Sequence, residues 1–273
     1  MSDTYSMPAM RLRSSPARAD QAHGLRRMFA STQRRFVPLV HNPHVAFGGL
    51  ALERLCAAYA ERQLHTLVVD AADTAGAPQE LVQVDLSACI EPLSAQVSFI
   101  AARGLPMRWL DSRGSTTGFL TAMAEAAPQA QVVLMHAGAS DLCRLFADRA
   151  PRPVLIADDS ADSLTHAYAS MKLITQRLGV LAFDLLLATD AAPQRVQSIV
   201  ERLATCADRF LGAALGECAV ADPGTDASDA VDAALRLLAA AQLDQPDHCI
   251  ELRRVPPGRF RPGNFTETAG HAN

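Results

Sequence analysis

The chain has 273 residues, 49 % of them hydrophobic and 20 % charged, with a net charge of −4. That supplies apolar material for one large domain or two small ones, and it argues against a disordered chain and a general nucleic-acid coat. The longest apolar runs, near 180–188, are broken by charge within a few residues, so no membrane-spanning helix is expected. The opening MSDTYSMPAMRLR lacks an apolar signal core, and Cys56, Cys89, Cys143, Cys206, Cys218 and Cys249 form no C-x-x-C pair. Both features predict a cytoplasmic protein with reduced, buried thiols and no zinc site.

Residues 1–36 carry seven arginines against Asp3 and Asp20, a net +5, which leaves −9 for the remainder. This basic arm on an acidic body suits either docking to a negative surface or simple solubility. Residues 1–19 are rich in Ser, Pro and Arg and read as a flexible arm. Asp20 can cap a short helix over 20–30, whose apolar positions Ala22, Leu25 and Phe29 follow helical spacing. Its apolar surface is too small for it to be stable alone.

An α/β domain is predicted over 36–245. The run 36–40 (FVPLV) reads as a strand, the loop HNPHVAFGG follows, and 50–63 has helical periodicity. The run 66–70 (TLVVD) then ends a βαβ unit. Further strands are expected at 132–135, 154–156, 181–188 and 217–220. Helices are expected at 117–126, 139–148, 162–178 and 193–210, with a last one ending near Leu243. Repeated alternation of this kind predicts a doubly wound, mainly parallel sheet with helices on both faces. Ligands on such sheets bind at the loops after Val40, Asp70 and Met135. Residues 81–115 give no clear pattern, 222–230 reads as a linker, and 246–273 reads as a loose tail.

The loop after the first strand occupies the place of a phosphate-binding loop. Such a loop needs backbone N–H groups around the phosphate, then Lys, then Ser or Thr for Mg²⁺. The loop His41–Gly49 has no Lys, Ser or Thr, and Pro43 removes one N–H donor. Gly48-Gly49 before a helix leaves an anion site at its N-terminus open, beside the simpler reading of a packed loop. His41, His44 and His65 lack a carboxylate or Cys at ligand spacing, so no metal is expected. Asp70 and Asp73 stand where α/β enzymes hold a Mg²⁺ or a water-positioning carboxylate, or else one of them caps the next element. No G-x-S-x-G occurs, and His136 and Ser140 show no triad order.

Three segments in order resemble one family. Asp20-Gln21-Ala22-His23-Gly24-Leu25-Arg26 is similar to the DQAxxLR motif of FlhG (also FleN), ParA/MinD-type ATPases that control flagellar number and placement. Residues 36–55 align without a gap on that family's strand, deviant Walker A loop and helix. Residues 163–172 (SLTHAYASMK) resemble its S-x-T-D-A-Y-A-x-x-K helix, and 209–212 (RFLG) a later segment. The resemblance implies a MinD-like, P-loop NTPase-like fold.

It also exposes departures. The signature Lys falls on Pro43, the Lys-Thr pair on Gly48-Gly49, and the hydrolytic second Asp on Ala72, with Asp73 displaced by one. The Asp of the third nucleotide loop is replaced around Leu134. Each lost phosphate cation removes about 1.5–3 kcal/mol of charge-assisted binding. The expectation is therefore a pseudo-ATPase with no bound cofactor. The alternative is an ATPase gripping ATP and Mg²⁺ through His44, Arg54 or a partner chain.

In the family the N-terminal helix docks on FlhF, a signal-recognition-type GTPase, and its Gln stimulates GTP hydrolysis. The resemblance gives Gln21 that role, with Asp20 as cap, Ala22 and Leu25 on the contact face and Arg26 pairing with the partner. The competing reading packs this helix on its own body. The last helix carries the stripe Val231, Leu235 and Leu238 with Asp229 and Asp232 beside it, which favours packing over membrane binding. The partners expected are an FlhF-like GTPase and flagellar basal-body or regulatory proteins, with recruitment to the cell pole and no nucleic acid. A homodimer and a scaffold role in another polar secretion assembly remain alternatives.

Overall fold

The computed structural model describes residues 34–83, 85–226 and 231–245. The expected 20–30 helix, with Asp20, Gln21, Ala22, Leu25 and Arg26, lies outside the described residues, as do the 1–19 arm and the 246–273 tail.

Eight strands build one sheet. They are β1 (Arg35–Val40), β2 (Thr66–Asp70), β3 (Glu91–Pro92), β4 (Val97–Ala101), β5 (Val132–Ala137), β6 (Val154–Ala157), β7 (Ala182–Leu187) and β8 (Ala214–Val220). The order across the sheet is β3-β4-β2-β5-β1-β6-β7-β8. All neighbours are parallel except the β3–β4 hairpin. The helices are α1 (Gly48–Glu61), α2 (Gly118–Ala126), α3 (Ala139–Leu145), α4 (Ala161–Leu178), α5 (Pro193–Leu211) and α6 (Ala233–Leu243). The doubly wound architecture read from the alternation is the one found.

Period-two alternation in the strands feeds two cores. One face presents Leu67, Val69, Val133, Met135, Leu155 and Leu185 to α2, α3, α4 and α5. The other presents Val37, Leu39, Val68, Leu134 and Ile156 to α1 and α6. The long helices are well terminated. The Ser160 side chain accepts from Ser163 N at the start of α4, and Gly179 at its end takes φ 67°, a conformation that suits glycine. In α6, Asp232 accepts from Leu235 N, and Leu235 and Leu238 are fully buried against the sheet. Pro38 sits inside the central strand β1, where proline is rare. Pairing with β6 begins only at Leu39, so Pro38 costs no ladder bond on that side.

Some expectations need correction. The unread stretch 81–115 holds β3 and β4, and β4 runs parallel to β2 along Thr66↔Val97 to Asp70↔Ala101. Helix α3 stops at Leu145 rather than 148. Cys206 is exposed and Cys218 half-buried, unlike Cys56, Cys89 and Cys143.

The β2-to-β4 connection shapes one flank. The β1–α1–β2 step moves toward the β4 edge with α1 on the second face, and a right-handed parallel step from β2 to β4 would add a helix there too. Instead Val82 and Cys89 of the connection pack in the first core. The chain then returns through the antiparallel β3–β4 hairpin. Among the described residues, the second face of β2 and β4 is left as an open groove beside α1.

Candidate functional site

Parallel strands bring their C-terminal ends to one edge, where β1, β2 and β5 deliver His41, Asp70 and His136 side by side. Asp70 and His136 stand opposite each other in register. His136 Nδ1 lies 2.8 Å from Asp70 Oδ1, which also accepts from Ala72 N at 3.3 Å. His136 Nε2 lies 3.3 Å from His41 Nδ1, and His41 Nε2 lies 3.5 Å from Thr74 Oγ1. A carboxylate only accepts, so His136 Nδ1 carries a proton. In the neutral pair, His136 Nε2 then accepts from His41 Nδ1–H, and His41 Nε2 is left as the acceptor facing Thr74. One acceptor thus sets the tautomers along the row.

Burial works to raise the Asp70 carboxyl, but the His136 hydrogen bond, its charge and the Ala72 N–H outweigh burial and hold it below the usual carboxylate range. Burial and the neighbouring His136 lower His41, against the opposite pull of Asp70 and Asp73. Burial and His44 lower His166.

The loop from His41 to Phe47 is closed by its own side chains. Asn42 is buried and its Nδ2 stands 3.0 Å from Ile156 O, Ser163 O and Ser163 Oγ. Its Oδ1 accepts from His44 N, and the Asn42 carbonyl accepts from Val45 N. His41 N donates to Ala137 O. The His44 and His166 rings meet edge-on, 5.7 Å between centroids. Residues 36–55 and 163–172, which carry the resemblance separately in sequence, are therefore one assembly in space.

Each anticipated nucleotide-loop residue can now be placed. Pro43 is exposed at the turn of the loop, and Gly48 and Gly49 open α1 with no side-chain cap before them. Neither glycine has positive φ, and an added Cβ on either would meet nothing within 4 Å. The fold itself does not require glycine at these positions. Asp73 is exposed, and Leu134 is buried in β5. Asp70 is not a simple cap, because His136 takes its carboxylate. His65 lies at the opposite end of the sheet, against Ser98 Oγ. Arg54 is buried, and its guanidinium donates to Thr225 O at 2.7 Å, which ties it to the β8–α6 loop. Among the described residues no group of His, Cys, Asp and Glu is arranged to hold a metal ion.

The sequence reading passes over His166 and weighs His136 only as a triad member. His136 became a partner of Asp70 only once β5 was known to lie beside β2. His166 had a visible signal, since it stands where the S-x-T-D-A-Y-A-x-x-K pattern has Asp.

No protein-family model matches the chain, and no curated protein matches it. Solved structures of similar fold are found. The cell-division protein MinD of Aquifex aeolicus aligns over 78 % of this chain and 98 % of its own, at 10 % identity and a TM-score of 0.54. A plasmid partition protein of Borrelia burgdorferi aligns over 77 % and 100 %, at 10 % identity and TM-score 0.53. Cobyrinic acid a,c-diamide synthase of Mycobacterium smegmatis, with bound ADP and magnesium, aligns over 77 % and 94 %, at 14 % identity and TM-score 0.52. At these identities the likeness establishes a shared fold. No helix among the described residues is long and apolar enough to cross a membrane.

Proposed function

We propose that this chain is a regulator of flagellar biosynthesis built on a MinD-like fold, without ATPase chemistry of its own. It acts through the 20–30 helix on an FlhF-like GTPase. The observation that carries the loss of ATPase chemistry is the state of Asp70. The carboxylate placed to position metal or water is bonded to His136 Nδ1 at 2.8 Å, while Pro43 and Gly48-Gly49 stand in place of both phosphate cations. A loop whose polar groups are satisfied by Asn42 and Ser163 needs no anion to hold its shape. The activator role rests on DQAHGLR, where a Gln amide can both accept and donate hydrogen bonds around an attacking water.

The test is GTP turnover by the FlhF-like GTPase of the same organism, with the full chain in wild-type and Gln21→Ala forms. Stimulation by the wild type and its loss in Gln21→Ala is the expected result. Equal turnover with both forms overturns the activator role and leaves the fold untouched.

A further inference from the structure

The open flank beside α1 is a groove of about 680 Å³. Leu52 and Cys56 of α1 form one wall, Val68, Val97 and Phe99 the floor, and Leu93 of the hairpin tip the lip, 63 % exposed. Its only charged lining residues are Glu53 and Asp70. A second groove of about 700 Å³ runs between α4 and α5 with an apolar floor, but Arg202 lines it together with Arg195, which is paired with Asp159 at 2.8 Å.

We propose that residues 20–30 of this same chain form the helix that covers the first groove. Leu25 and Phe29 would lie against Val97 and Phe99. Connectivity supplies the first argument, since this flank lacks the helix that a right-handed β2-to-β4 step would have provided. Reach supplies the second. Arg35, Val132, Thr66 and Val97 form one register row across β1, β5, β2 and β4. Three strand spacings of about 4.8 Å put Val97 about 14 Å from the start of β1. The four residues between the helix and β1 span up to about 14 Å when extended.

Length agrees as well. Eleven helical residues extend about 16 Å, and the five residues of β2 extend about 16 Å along the floor. The stripe Ala22, Leu25, Met28 and Phe29 supplies the apolar face, with Arg26 and Arg27 at its flank and back. Charge then selects between the two grooves. A helix bearing these arginines is drawn to the walls holding Glu53 and Asp70, whereas in the second groove the one carboxylate, Asp159, is already paired with Arg195 and Arg202 adds positive charge. The tail 246–273 is a poorer occupant, because its prolines and glycines oppose a helix. The proposal does not depend on the GTPase reading, and its test contains no partner.

The experiment places p-benzoylphenylalanine at position 29 of the full chain, with photo-cross-links mapped by mass spectrometry. The expected product is a cross-linked monomer joining residue 29 to peptides carrying Leu52–Cys56 or Val97–Phe99. The reciprocal probe at position 93 should capture peptide 20–30. Leu93→Lys, at an exposed position outside the core, removes the apolar lip and repels Arg26 and Arg27, so it should lower the residue-29 yield several-fold. Cross-links to 164–168 or 199–203 would overturn the assignment. So would a dimeric product whose yield grows with protein concentration, or a yield unaffected by Leu93→Lys.

Discussion

Replacing His136 with Asn and with Gln separates the two hydrogen bonds of its ring. An Asn amide reaches where Nδ1 stands and can still donate to Asp70. A Gln amide reaches the Nε2 position beside His41 and leaves Asp70 with the Ala72 N–H alone. A hydrogen bond to a charged group contributes about 1.5–3 kcal/mol, and one between neutral groups about 0.5–1.5 kcal/mol. His136→Gln should therefore be less stable than His136→Asn by about 1 kcal/mol. For a domain of this size that gap is about 2–4 °C in Tm. Urea unfolding followed by circular dichroism reads it directly, provided both variants share one m-value.

The pH dependence sharpens the test. The folded Asp70 carboxyl lies below its ordinary range. Its contribution is therefore fully present above the ordinary carboxylate value of about 4 and is lost as pH falls through the folded value. The Gln–Asn gap should hold from neutral pH down to about 5 and close on further acidification. A gap of the opposite sign, or one that stays constant until acid unfolding, refutes the assignment of His136 Nδ1 to Asp70.

Other outcomes follow from the same geometry. His41 and His166 are held below their ordinary value, so the unfolded chain takes up protons first. Stability should drop as pH falls through about 6.5, and His166→Asn should flatten that slope in urea midpoints between neutral and mildly acidic pH. Asp184 is fully buried in β7, paired with Arg152 and accepting from Glu217 N and Gln242 Nε2. Asp184→Ala should cost about 3–5 kcal/mol by stranding Arg152, measured by denaturant titration. Mg-ATP at millimolar concentration should leave the thermal midpoint unmoved. Specific binding at 100 times Kd would add about 2.7 kcal/mol and raise the midpoint by about 5–11 °C. In the proposed 20–30 helix Gln21 and Leu25 would share a face, so releasing it with Leu93→Lys should increase GTPase stimulation several-fold.

Much of the fold was legible because buried parallel strands are short apolar runs and their crossover helices keep a clean period. TLVVD over 66–70 and VVLM over 132–135 are examples, and both end within two residues of the observed strands. Residues 81–115 were not legible, because Glu91–Pro92 is too short to show alternation and VSFIA gains its identity from pairing with β2. The site divides in the same way. That the loop 41–49 holds no Lys, Ser or Thr could be read locally. The His136–Asp70 bond joins residues 66 positions apart, and no local pattern encodes it. Only the strand order, with β5 between β2 and β1, brings these two together.

The loop also bears on the proposed loss of ATPase chemistry. A phosphate-binding loop presents several inward N–H groups that an anion must satisfy, so removing the anion leaves buried donors unpaired at about 1–3 kcal/mol each. Here the donors at positions 41, 44 and 45 have internal acceptors. His41 N goes to Ala137 O, His44 N to Asn42 Oδ1 and Val45 N to Asn42 O, while Pro43 has no N–H to place. Asn42 is anchored in turn on Ser163, whose Oγ also accepts from Asp158 N. The Asp70 carboxylate accepts a hydrogen bond from the His136 imidazole. On the proposed reading the loop does not require ATP to hold its shape, and the sheet serves as a rigid body that holds or releases a helix.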